Sequence, residues 1–248
     1  AVAKGSEPGL IEAWGGALAY TLQLYFDFSG YSDMAIGLSR MFNVNLPVNF
    51  NSPYKAGNII EFWRRWHMTL SAFLRDYLYI PLGGNRHGTL RRHLNLLVTM
   101  LLGGLWHGAN WTFVFWGGLH GVYLVVNHFW QALCTRLKLP HLPGGAVLSG
   151  ALTFIAVVVA WVPFRADSFA TAMRMIHGMF GFGRHAIETT VAFDKLFPSL
   201  VAHQLELLWG LVEPTHILRY SIMWFALGML IIWRLPNAQQ WVHVPADE

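Results

Sequence analysis

From His93 to Thr135 the chain carries no Asp, Glu, Lys or Arg, and most of the residues in that run are apolar or aromatic. A bilayer core about 30 Å thick is crossed by about 20 apolar residues in a helix. The run is therefore long enough for two crossings, with a turn near Gly108 to Trp111 where small and polar residues gather. The segment just before it, "NRHGTLRRH", is short and basic, with Arg86, Arg91 and Arg92. By the positive-inside rule this loop lies on the cytoplasmic side.

The rest of the sequence agrees with a membrane setting. Only 12% of the 248 residues are charged and 54% are hydrophobic, with twelve Trp and seventeen Phe. Soluble domains carry about 25% charged residues, so a soluble chain of this make-up would be unable to cover its surface. The expected fold class is all-α, a multi-pass transmembrane bundle with interfacial or re-entrant helices. The net charge of +4 comes from basic residues clustered between apolar runs, which reads as an orientation signal and not as a nucleic-acid surface. Cys134 stands alone, which excludes an intrachain disulfide and a cysteine-based zinc site. The opening "AVAKGSEPGL" has neither an initiator Met nor a basic start before an apolar run, and the expectation is a fragment of a longer protein.

Other segments fall into helices. "IEAWGGALAYTLQLYF" and "SGYSDMAIGLSRMF" predict one or two membrane-embedded helices around a polar "DFSG". Asn58 is a plausible N-cap for one amphipathic helix, "IIEFWRRWHMTLSAFLRDYLYI", stopped by Pro81 and Gly83-Gly84. Phe62, Trp63, Trp66 and Leu70 fall near one face of it, as in an interfacial or re-entrant helix. "AVLSGALTFIAVVVAWVPF" and "ILRYSIMWFALGMLIIWRLPN" predict two further crossings, and "SFATAMRMIHGMFG" an interfacial helix.

An ionisable side chain at membrane depth is a functional candidate. His107 lies 14 residues past His93, roughly 21 Å along a helical path. Burial disfavours the imidazolium, which leaves a neutral ring able to accept a proton. Trp106 and Trp111 can wall a cavity there, Gly108 lets backbone approach a ligand, and Asn110 offers both a donor and an acceptor. The plainer alternative is that His107 hydrogen-bonds a carbonyl between helices. His120 reads as a packed histidine.

His67 is the second candidate, with Arg64 one turn before it and Ser71 one turn after on a continuous helix. Arg64 and Arg65 suit the phosphates of a donor or equally lipid head groups. Trp63 and Trp66 fall at helical spacing, where tryptophans often only pack. Asp27 and Asp33 are expected to pair with Arg or His of the 62–76 helix or to line a polar path. No H-E-x-x-H, G-x-S-x-G, G-x-x-x-x-G-K-[ST] or G-x-G-x-x-G pattern occurs, which disfavours zinc, nucleophilic-serine and nucleotide chemistry. His87 and His93 have ligand-like spacing but sit in a basic loop that repels a cation.

"YTLQLYFDFSGYSDMAIGLSRMF", "NFNSPYKAGNIIEFWRRWHMTLSAFLRDYLYIPLGGNR" and "LLGGLWHGANWTFVFWGGLHG" together resemble the membrane-bound O-acyltransferases, in the bacterial branch that modifies alginate and teichoic acid. "WVPFRADSFATAMRMIHGMFG" and "RLPNAQQ" resemble later segments of that branch. The resemblance implies that His107, in "WHGANW", is the catalytic histidine in a tunnel between the membrane faces, and that His67 occupies the second signature position. On that reading Trp63, Trp66, Trp106 and Trp111 are expected to wall the passage and Asn110 or a backbone N–H near Gly108 to meet the oxyanion. It implies a cytoplasmic acyl-CoA or acyl carrier thioester as donor, no bound cofactor, and acyl transfer towards an extracytoplasmic polysaccharide or relay protein. Acetyl-transfer proteins and polysaccharide synthesis machinery are the implied partners, beside the lipid bilayer. The implied setting is the bacterial inner membrane, and residues 1–248 are one partial acyltransferase domain lacking the family's earlier membrane helices. The rival expectations are a transporter or channel with His107 as proton relay, and a non-catalytic scaffold; no internal symmetry of the transporter kind is visible in the sequence.

Overall fold

A computed structural model describes residues 7–138, 144–182 and 214–242, and among the described residues every regular element is helical. Helix α1 (Leu10–Met41) opens where the Glu12 carboxylate accepts from the Gly9 N–H at 3.1 Å. It runs unbroken through "DFSG", so the two segments form one helix of 32 residues. The helices that follow are α2 (Ile59–Arg65), α3 (Met68–Leu74), α4 (Gly88–His107), α5 (Trp111–Leu137), α6 (Gly145–Arg165), α7 (Phe169–Met179), α8 (Pro214–Arg234) and α9 (Ala238–Val242).

The expected single helix over 59–80 is corrected. Asn58 does cap it, its Oδ1 accepting from Glu61 N–H at 3.0 Å, but the helix breaks at Trp66–His67. Trp66 is extended and His67 adopts a left-handed conformation, φ 45 and ψ 56. The break leaves backbone groups that need partners, and the extended segment 49–51 supplies two. Asn51 N–H donates to Arg65 C=O at 2.9 Å, and Met68 N–H donates to Asn49 C=O at 2.9 Å. Beyond α3 the chain winds wider, with a π-helical stretch at Arg75–Tyr79.

Helices α4 and α5 form an antiparallel hairpin, the most extensive helix pairing in the fold. Small residues let their backbones approach closely. A Cβ on Gly104 would clash with the Phe113 carbonyl and lie 3.2 Å from Gly117 Cα, and a Cβ on Gly117 would clash with the Met100 carbonyl. Helices α1, α2, α5 and α6 enclose an aromatic core that includes Phe50, Tyr54, Phe62, Trp66, Trp116 and Trp161. The outer faces carry large apolar side chains such as Val126 and Phe129 on α5 and Leu148 and Leu152 on α6, as suits a surface that meets lipid.

Among the described residues α6 is the helix both long and apolar enough for a crossing by composition. At 20 and 27 residues, α4 and α5 reach the length of about 20 that a crossing needs. Their apolar character is diluted by the glycines, tryptophans and histidines that build their contact. Gly104→Ala or Gly117→Ala should therefore destabilise the protein by at least the roughly 1–3 kcal/mol of core overpacking, read as a fall in melting temperature in detergent. Gly15→Ala, where a Cβ meets nothing within 4 Å, should leave it unchanged or higher.

Candidate active site

His107 is the last residue of α4, at the tip of the glycine-packed hairpin. Four rings surround its imidazole, with centroids at 5.0 Å for Trp106, 5.1 Å for Phe164, 5.2 Å for Trp116 and 6.3 Å for Phe113. Trp116 and Phe164 meet it edge-on, at interplanar angles of 89° and 80°. Among the described residues its ring nitrogens have no hydrogen-bond partner, and the ion pairs are Arg65–Glu61 and Arg75–Asp76. Among the described residues its environment is thus aromatic on four sides, with no carboxylate partner. The carbonyl bond weighed as its plainer role is not made within the described residues.

The turn after His107 is held by its own polar groups. Asn110 caps α5, its Oδ1 accepting from Thr112 N–H at 3.1 Å, while its Nδ2 donates to Asp167 C=O at 3.3 Å. Gly108 N–H donates to Leu105 C=O at 3.2 Å. The Gly108 N–H and one donor of the Asn110 amide are therefore engaged in the fold. The space beside Gly108 is also filled, since a Cβ there would lie 2.8 Å from the Phe113 ring.

His67 sits at the break between α2 and α3, so the expected stacking of Arg64, His67 and Ser71 on one helical face does not form. Asn49 organises the break. Its Oδ1 accepts from Thr69 N–H at 3.3 Å, from Thr69 Oγ1 at 3.1 Å and from His67 Nδ1 at 3.1 Å. An acceptor shared in this way requires His67 to carry its proton on Nδ1, which leaves Nε2 as the lone-pair nitrogen. Phe28 packs on the same imidazole at 4.8 Å. Trp106 bridges the two candidates, 6.5 Å from His67 and 5.0 Å from His107 by ring centroids.

The remaining candidates are dispersed. Trp63 turns inward and donates from Nε1 to His120 Nδ1 at 3.3 Å. Trp106 is 60% exposed and Trp111 is 81% exposed, so within the described residues Trp106 covers one side of the imidazoles and Trp111 covers nothing. Arg64 lines a separate cavity of about 430 Å³ with Asn58, Ile60, Glu61, His128 and Gln131. Asp27 is exposed on α1. The expected pairing of the two aspartates with Arg or His of the 62–76 region is corrected: Asp33 accepts instead from Gln239 Nε2 at 3.0 Å, and Asp27 makes no ion pair among the described residues. Asn49, Phe113, Trp116 and Phe164 were not singled out from the sequence. Asn49 lies in a loop read only as turn-forming, and the three rings are indistinguishable from core by composition.

The family model for MBOAT, the membrane-bound O-acyltransferase family, matches residues 7–163, a span that includes both histidines and the hairpin. The chain belongs to the membrane-bound O-acyltransferase family. It is similar to a peptidoglycan O-acetyltransferase of Helicobacter pylori, 50% identical over 72% of this chain and 33% of that protein. It is also similar to a probable alginate O-acetylase AlgI of Azotobacter vinelandii, 54% identical over 72% of this chain and 34% of that protein. A teichoic acid D-alanyltransferase of Streptococcus thermophilus is 35% identical over 45% of this chain and 28% of that protein. The chain spans about a third of the length of the first two relatives. As a member of this family it is a membrane protein, as its composition requires.

Removing the Asn49 amide leaves its three donors without their acceptor. Asn49→Ala should cost about 1–3 kcal/mol and lower the melting temperature of the protein in detergent. Asn49→Asp, which keeps an acceptor oxygen in place, should retain most of the stability.

Proposed function

We propose that the chain is the catalytic part of a multi-pass O-acyltransferase of the bacterial inner membrane. It moves an acyl group, acetyl by analogy with its O-acetylating relatives, from a cytoplasmic thioester towards hydroxyls of an extracytoplasmic polysaccharide such as alginate. The observation that carries this reading is the setting of His107: an imidazole that among the described residues has no hydrogen bond and no carboxylate partner, flanked by four rings at the tip of the hairpin and bridged by Trp106 to His67. A base that must take a proton at neutral pH needs a ring that stays uncharged and unoccupied, and a cage of aromatic rings favours that form.

In the reaction, His107 takes the proton of the acceptor hydroxyl as that oxygen attacks the thioester carbonyl carbon. The carbon–sulfur bond breaks, and the departing thiolate receives the proton from His107. The products are the ester and the free thiol, with His107 neutral again. His67 acts on the same region from the α2–α3 break, where its fixed Nδ1 proton turns a lone pair at Nε2 towards use as an acceptor. Asn110 acts as a positioning residue, holding the start of α5 and the α6–α7 connection in place beside the cage. Arg64, at the rim of the cavity between α2 and α5, suits the phosphate of acyl-CoA or of an acyl carrier. Acetyl-transfer proteins and polysaccharide synthesis machinery are the partners this route requires, and no bound cofactor takes part.

His107→Ala should leave expression and membrane insertion intact and reduce polymer acylation by at least about 100-fold, the lower end of what a general base contributes. Acylation at the wild-type rate by that variant would overturn the assignment.

A further inference from the structure

Three residues of α5 at successive turns, Thr112, Trp116 and His120, form one stripe along the helix, because residues four apart lie on the same face. All three are buried almost completely, at 1%, 2% and 0% exposure. Each nevertheless carries a polar atom that has no partner among the described residues: Thr112 Oγ1, Trp116 Nε1 and His120 Nε2. Such groups are normally satisfied in folded proteins, and leaving one unpaired is costly. Three in succession on one face call for a ligand.

The chemistry of that ligand follows from His120. Trp63 Nε1–H donates to its Nδ1 at 3.3 Å, so Nδ1 carries the lone pair and the neutral ring holds its proton on Nε2. The unpaired His120 atom is then a donor, as is the indole N–H of Trp116, and the Thr112 hydroxyl can donate as well. The rings of His120 and Trp116 are 5.0 Å apart, and Trp116 lies 5.2 Å from His107. The stripe thus presents donors, deep in the core, directly behind the candidate base.

We infer that Thr112, Trp116 and His120 form a buried site for hydrogen-bond-accepting oxygen beside His107. The oxygen belongs either to an ordered water or to a carbonyl of the thioester donor. Successive residues of the stripe are separated by about 6 Å along the helix axis, a gap that one oxygen can bridge by two hydrogen bonds. This extends the O-acyltransferase reading and gives His120 a positioning role in place of the packing role its sequence setting suggested.

The test compares Trp116→Phe, His120→Phe and His120→Gln with the wild type in the full chain, in membranes, with labelled acetyl-CoA as donor. Melting temperature is measured on each, together with cryo-electron microscopy maps with and without a non-hydrolysable acetyl-CoA analogue. Each Phe variant should lower acetyl transfer about tenfold, the effect of one hydrogen bond. The melting temperature should stay near wild type in Trp116→Phe and fall in His120→Phe, which leaves Trp63 Nε1–H without its acceptor. His120→Gln, which restores an N–H, should recover most of the activity. Density for a water on the stripe without the analogue, and an unchanged KM for acetyl-CoA, identifies water. Density for the analogue's carbonyl oxygen there, with a raised KM in the Phe variants, identifies the donor. Wild-type kcat and KM in both Phe variants would overturn the inference, as would losses that only track melting temperature and are not recovered by Gln. The maps report on the stripe whether or not His107 proves to be the base, so failure of one reading is distinguishable from failure of the other.

Discussion

The contact between Gly104 of α4 and Gly117 of α5 lets two helix backbones meet with no side chain between them. In a membrane, where lipid is as apolar as the helix surface, this close packing is a main source of helix association. It also fixes where the hairpin can turn. With the contact in place, α4 ends at His107 and α5 begins at Trp111, and the first turns of α5 bring Phe113 and Trp116 against the imidazole. Phe164, near the end of α6, closes the same cage. The position of the candidate base is thus a consequence of helix packing, with no ion pair among the described residues to hold it.

A second constraint acts on the other histidine. A left-handed His67 is unusual for a residue with a Cβ and persists only where its surroundings fix it. The segment 49–51 does so by pairing with the backbone on both sides of the break, and Asn49 does so by gathering the donors of Thr69 and His67. Trp106 then lies between the two imidazoles. Two unrelated devices, a close-packed hairpin and a clamped helix break, converge on one small aromatic volume.

Much of this was legible in the residues. The uncharged run from His93 to Thr135 required a pair of long helices, and the turn falls where Gly108 to Trp111 placed it. The Asn58 cap and the buried face of Phe62, Trp63, Trp66 and Leu70 also follow from pattern alone. The break at His67 does not, because every residue of "RRWHMTL" is compatible with a helix and the interruption is imposed by hydrogen bonds from a segment about 15 residues earlier. For the same reason Arg64 and His67 part company, and Asp33 finds Gln239, far along the chain, instead of a nearby cation. Asn110 was singled out for its donor and acceptor, and it uses both to cap α5 and tie it to Asp167.

The most direct test of the account is chemical rescue at the tip of the hairpin. In the full chain, His107→Gly removes the imidazole but leaves the cage of Trp106, Phe113, Trp116 and Phe164 to receive a free one. With labelled acetyl-CoA as donor, transfer by this variant should be lost and then return in proportion to added imidazole, with a pH dependence that follows the neutral form of the added base. Transfer by His107→Gly at the wild-type rate without imidazole would contradict the account.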